Sequence, residues 1–190
     1  MRLAALALLA CAASSSALAA GTACDALPKT MNSKTVAINV AKIVADDGTS
    51  PAYCLVQGKA APHKGVDGKD YATGFEMRLP TQWNGRFLYQ GGGGNDGIVR
   101  PAIGPQASPT YALNKGFAVV TTDAGHQSPT ADFGFDPIAR TDNAYNAHDR
   151  VAVTAKEIIL GTLPTAKLDR LDRLDQGHAV RRLRHRRLHA

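Results

Sequence analysis

The stretch of this sequence with the most chemical character runs Arg86-Phe87-Leu88-Tyr89-Gln90-Gly91-Gly92-Gly93-Gly94. A short apolar segment that fits a strand leads straight into four glycines. With no Cβ in the way, such a run lets the backbone approach a bound group closely. Its N–H groups can then be aimed at developing negative charge, and removing one donor of that kind typically costs about 10²–10³ in rate. A flexible loop without a ligand is the competing reading. A phosphate cradle is disfavoured. No Gly-Lys-Ser/Thr follows the run, and Gly91 to Gly97 lacks the glycine spacing and following helix of a dinucleotide site.

Other residues invite chemistry less strongly. Asp123 and His126 form a tempting acid/base pair; the alternative is a structural role, with Asp123 binding loop N–H groups and His126 ordering the loop. Ser128 is near that histidine in sequence. A nucleophile needs its base held at about 2.6–3.2 Å, and Ser128 lies in a proline-flanked loop with no strand–turn–helix context. His148 is expected on a helix as a partly buried hydrogen-bonding residue, and His63 and His178 as solvated side chains. Trp83, the single tryptophan, is expected to anchor a connector in the core. Asp96-Gly97 reads as a turn. No His/Cys/Asp spacing resembles a zinc site.

Alternating residues predict strands at Thr35–Val44 (Val36, Ile38 and Val40 on one face), at Tyr53–Val56 ended by Gly58, and at Phe75–Leu79 stopped by Pro80. His63 to Asp70 reads as a loop. Arg86–Gln90 is a short strand, Tyr111–Lys115 a short helix stopped by Gly116, and Phe117–Thr121 a strand buried on both faces. Asp123 to Asp136 reads as a long loop. Ala144, Ala147, Val151, Ala155 and Ile158 then recur at helical spacing from Asp142 to Leu160, with Gly161 as the stop. Strands alternating with helices in the second half imply an α/β fold with parallel core strands and covering helices.

The 190 residues carry 44% apolar side chains, enough for a packed core, and 6% aromatics, too few for a base-stacking surface. The net charge of +6 is an end effect: residues 167–190 hold 8 basic and 3 acidic side chains, whereas residues 20–166 hold 13 of each. Nucleic acid is therefore not an expected partner. Residues 1–19, MRLAALALLACAASSSALA, read as a secretory signal peptide, with a lipoprotein signal at Leu8-Leu9-Ala10-Cys11 as runner-up. Past this leader no apolar run reaches the roughly 20 residues of a membrane span. Cleavage leaves Cys24 and Cys54, which export to a secreted or periplasmic location favours as a disulfide; two buried thiols are the alternative. Residues 167–190, rich in Arg and Leu, contrast with everything before them. They are expected to be non-native, as a shifted reading frame in a GC-rich gene would produce, or disordered.

In α/β-hydrolases the loop after the third strand supplies half of an oxyanion hole. With that loop type in Gly91–Gly94, the chain resembles the tannase/feruloyl esterase family of secreted serine esterases. The matching residues are Tyr53-Cys54 with Val56 and Gly58, Leu79-Pro80, and Trp83-Asn84-Gly85-Arg86-Phe87 leading into the glycines. They continue in Gly116-Phe117-Ala118-Val119, in Thr122-Asp123-Ala124-Gly125-His126, and in His148 with Ala155-Lys156-Glu157-Ile158. The resemblance implies an α/β-hydrolase fold, a later lid domain with a calcium site, and hydrolysis of esters of hydroxylated aromatic acids such as gallate or ferulate. It implies a Ser–His–Asp mechanism with the serine on a Cys-Ser-x-Gly-Gly turn whose cysteine is disulfide-bonded to one beside the catalytic histidine. It also implies the structural role for Asp123 and His126, whose string lies outside that triad.

No Cys-Ser-x-Gly-Gly or Gly-x-Ser-x-Gly string occurs in the 190 residues. The expectation is an incomplete α/β-hydrolase over residues 20–166 that ends before the nucleophile strand and lid. It needs no cofactor of its own, is catalytically inactive, and is poorly stable without a central strand. His178, His185 and His189 match no family motif. A different class of function is a small secreted binding protein using the basic stretch on anionic surfaces. A third option is a complete small hydrolase with an unusual nucleophile. Oligomeric state is not legible in the sequence.

Overall fold

The computed structural model describes residues 23–105, 110–128 and 130–163. The leader assigned to 1–19 and the basic stretch 167–190, with His178, His185 and His189, lie outside them. A helix at 23–30 (α1) precedes strands β1 (Val36–Val44), β2 (Tyr53–Lys64), β3 (Asp70–Pro80), β4 (Phe87–Gln90) and β5 (Ala118–Thr122). Helices α2 (Pro137–Thr141) and α3 (Ala147–Thr162) follow. The strands form one sheet in the order β1-β2-β3-β5-β4. β1, β2, β3 and β5 pair antiparallel in turn, while β4 and β5 are parallel.

The alternation in β3 explains the core. Phe75, Met77 and Leu79 face the same side as Cys54 and Val56 of β2 and Ala118 and Val120 of β5. Val151, Ala155, Ile158 and Ile159 of α3 and Leu27 of α1 close over them. A Cys24–Cys54 disulfide ties α1 to β2. On the opposite face Tyr53, Leu113 and Val119 pack with Ala102 and Ala112 from the irregular segment before β5. Every residue of β5 is buried, as a strand covered on both faces requires.

Several features differ from the sequence expectation. β2 does not end at Gly58 but continues to Lys64, so the connector to β3 shrinks to residues 65–69. Gly58 is there for space: a Cβ would lie 2.6 Å from the Ala37 carbonyl and 2.8 Å from the Phe75 ring. A register shift between Ile38 and Val40 interrupts the alternation of β1. Residues Asp142–Asn146 are wound as a π turn, so α3 proper starts at Ala147. The wider turn rotates Ala144 to the surface and buries Asp142, which takes a bidentate ion pair from Arg150 at 2.6 and 3.0 Å. Gly161 lies within α3, which runs on to Thr162.

Candidate active site

Because β4 and β5 are parallel, both run out at the same edge of the sheet. That is where an open α/β sheet forms a ligand crevice. Gly91–Gly94 leave β4 there and are exposed; Thr122-Asp123-Ala124-Gly125-His126 leave β5 beside them and are buried. The two loops are joined by backbone. The Gly97 N–H donates to the Asp123 carbonyl at 3.0 Å, and His126 Nε2 lies 2.6 Å from the Asn95 carbonyl. A carbonyl only accepts, so Nε2 carries the proton. The ring stacks on Phe133 at 4.0 Å, and its other nitrogen, Nδ1, is buried with no hydrogen-bond partner among the described residues.

Asp123 is the hub of the second loop. Its carboxylate accepts from the Gly74 N–H at 3.0 Å, the Gly125 N–H at 2.9 Å and Gln127 Nε2 at 2.8 Å. Burial pushes its pKa up, and these donors act against that rise. Asp123 and His126 do not touch one another as a proton-transfer pair. Each is committed to backbone groups, and together they hold the loop that abuts the glycine bend.

Within the bend the four amides are not equivalent. The Gly93 N–H donates to Asp96 Oδ1 at 2.8 Å, and the Asp96 N–H returns to the Gly93 carbonyl at 3.3 Å. Gly94 and Asp96 both have left-handed backbone, φ +65° and +53°. The amides of Gly91, Gly92 and Gly94 have no acceptor among the described residues. Below the bend, the hydroxyl of Tyr89 on β4 lies 3.0 Å from Nδ1 of His148 on α3. Burial raises the phenol well above its usual range and lowers His148, so the uncharged pair is the stable one.

The other expected residues fall as follows. Trp83 is half-buried against the core and donates Nε1–H to the Arg86 carbonyl at 2.7 Å, bracing the entry to β4. Ser128 places its hydroxyl 2.8 Å from that of Thr130 and makes no hydrogen bond to a base among the described residues. His63, expected in solvent, is instead stacked on Tyr71 with Nε2 3.4 Å from Asp136. The extension of β2 carries it there. Sequence reading placed Asp96 only in a turn and did not single out Tyr89 or the Asn143 amide beside His126. For Asp96 the signal existed: aspartate accepts N–H bonds from a tight turn.

Two clefts of about 320 and 290 Å³ open elsewhere. One lies over Gln57, Glu76 and Asp123, the other between Tyr71, His126 and Phe133; neither includes Gly91–Gly94. No three His, Cys, Asp or Glu side chains converge as a metal site among the described residues. No helix among them is long and apolar enough to cross a membrane.

A mixed sheet whose parallel strands end in a glycine bend, with a long helix packed behind, defines the α/β-hydrolase class. Residues 54–166 match the family model described as tannase and feruloyl esterase. Mono(2-hydroxyethyl) terephthalate hydrolase of Piscinibacter sakaiensis is 34% identical over 165 residues, covering 75% of this chain and 27% of that protein. A probable feruloyl esterase B-2 of Aspergillus flavus is 37% identical over 84 residues, covering 44% of this chain and 15% of that one. The crystal structure of feruloyl esterase B from Aspergillus oryzae superposes with a TM-score of 0.61 at 23% identity, over 76% of this chain and 30% of its own. The chain belongs to the tannase and feruloyl esterase family of ester hydrolases. It spans about a quarter of the length of the terephthalate monoester hydrolase.

Proposed function

We propose that this chain is the oxyanion-loop portion of a carboxylic ester hydrolase for esters of hydroxylated aromatic acids, and that the 190 residues by themselves do not turn over. The observation that carries the reading is the Gly91–Gly94 bend. It sits at the carboxyl end of a parallel pair, exposed, with the amides of Gly91, Gly92 and Gly94 unengaged among the described residues. Such amides stabilise the oxygen of an acyl carbon as it gains charge under attack, without reorganising at that moment. The aromatic acid class is supported by the relatives, whose names specify terephthalate and feruloyl esters. The leader at 1–19 and the Cys24–Cys54 disulfide support export to an oxidising compartment.

The attacking hydroxyl is what the chain does not supply. No nucleophile-turn string is present, and Ser128 is engaged by Thr130. Aryl ester assays and a serine-directed phosphonate probe are therefore expected to show neither turnover nor labelling of the 190-residue chain. Turnover would overturn the inactivity. The oxyanion role is tested in a chimera in which this chain replaces the matching segment of the terephthalate monoester hydrolase. There Gly91→Pro and Gly92→Pro each delete one amide, and at least one is expected to lower kcat by about 10²–10³ with KM little changed. Unchanged kcat in both removes the reading.

A further inference from the structure

Asp96 is placed unlike an ordinary loop residue. Its neighbours on both sides are held, Asn95 through its carbonyl by His126 and Gly97 through its N–H by Asp123. A Cβ on Gly97 would run into the Ser128 carbonyl, so this stretch is packed tightly from behind. Between those two anchors Asp96 adopts left-handed backbone, φ +53°, which aspartate tolerates in a tight turn better than most non-glycine residues. Its side chain is thereby turned back over the glycine bend. Oδ1 accepts the Gly93 N–H at 2.8 Å and stands where a side chain on Gly92 would be. Successive N–H groups around a left-handed residue form a concavity that favours an anion. Here one of those N–H groups, that of Gly93, already faces one of the chain's own carboxylates.

We propose that Asp96 is a built-in competitor in this nest: in the ligand-free chain its carboxylate holds the Gly93 amide beside the open amides of Gly91, Gly92 and Gly94, and an incoming oxyanion or carboxylate gains the full set only after Asp96 swings off Gly93. The proposal rests on the oxyanion reading of the bend and adds to it a charge that opposes the first arrival of a second anion. No bond is made or broken; one hydrogen-bond acceptor replaces another. The absence of a side chain at Gly92 serves Asp96 as much as any substrate, since any Cβ there would expel the carboxylate.

The test uses the full 190-residue chain, ¹⁵N-labelled, with benzoate as an aryl carboxylate probe and the amide shifts of Gly91–Gly94 as the readout. Asp96→Asn keeps the shape and an acceptor but removes the charge; Asp96→Ala removes both. Each is expected to bind benzoate at the bend at least about tenfold more tightly than the unsubstituted chain, with Asp96→Asn the deciding variant should Asp96→Ala not fold. Equal binding by all three chains at these glycines overturns the role of Asp96 while leaving the anion nest in place. No shift at the glycines in any of them removes the nest itself, and the proposal with it.

Discussion

Asp136 joins three segments with one carboxylate. Oδ1 caps α2 by accepting the Ala139 N–H at 2.7 Å, Oδ2 accepts the Val66 N–H at 2.9 Å from the β2–β3 connector, and His63 approaches at 3.4 Å. The Ala139 and Val66 amides, with His63, hold its pKa below the usual 3.8. A folded-state pKa lower than the unfolded one means that the stabilisation is complete above 3.8 and is lost as pH falls through the folded value. Asp136→Asn is therefore expected to lower the urea midpoint at pH 7, with the gap to the parent chain closing as pH falls below about 4. Gly74 illustrates a second kind of residue. A Cβ there would lie 2.5 Å from Asp123 Oδ2 and 3.1 Å from Val99. Gly74→Ala should cost about 1–3 kcal/mol in urea unfolding by pushing Asp123 off its amides. At this scale the glycine run was legible because four consecutive glycines after a strand are rare without a reason. The turn at Asp96 was legible too, but not the place of its carboxylate over the bend, which depends on where His126 and Asp123 hold its neighbours.

Among the elements, α3 and the disulfide carry the most testable energetics. Ile158 is fully buried between α3 and the sheet, so Ile158→Ala is expected to cost about 2–5 kcal/mol. The Cys24–Cys54 bridge closes a separation of 30 residues, and replacing both cysteines by serine should cost about 3–4 kcal/mol in the chain-entropy model, read as a shift in urea midpoint. Core strands were readable because a half-buried strand writes period-two alternation, as Phe75, Met77 and Leu79 do. The start of α3 was not. Asp142 to Asn146 continue the apolar spacing of the helix, yet the π turn that buries Asp142 against Arg150 shifts the face by part of a turn. Gly58 was misread as a stop for a related reason: a glycine in sequence does not say whether it ends a strand or makes room for one.

For the whole molecule, sheet order sets the distribution of stability. β3 is paired on both edges, by β2 and β5, and β5 lies between β3 and β4, whereas β4 is paired on one edge among the described residues. Native-state hydrogen exchange is expected to show the amides of Met77 and Val120 among the slowest and those of β4 faster, although β4 is the strand that carries the glycine bend. A loss of this ranking, with β4 as protected as β3, would mean that β4 has a second partner.

Composition, charge distribution, the cysteine pair and the local string from Trp83 to Gly94 depend on residues close in the chain, and so the sequence by itself determined the α/β class, the family and the place of the glycine bend. Where that bend is held against its neighbours was decided by contacts between residues distant in the chain. His126 reaches Asn95 across 31 positions and Asp123 reaches Gly74 across 49. Hydrogen bonds of that separation form only once β3, β4 and β5 are side by side, so the orientation of the site is a property of the sheet rather than of any one segment.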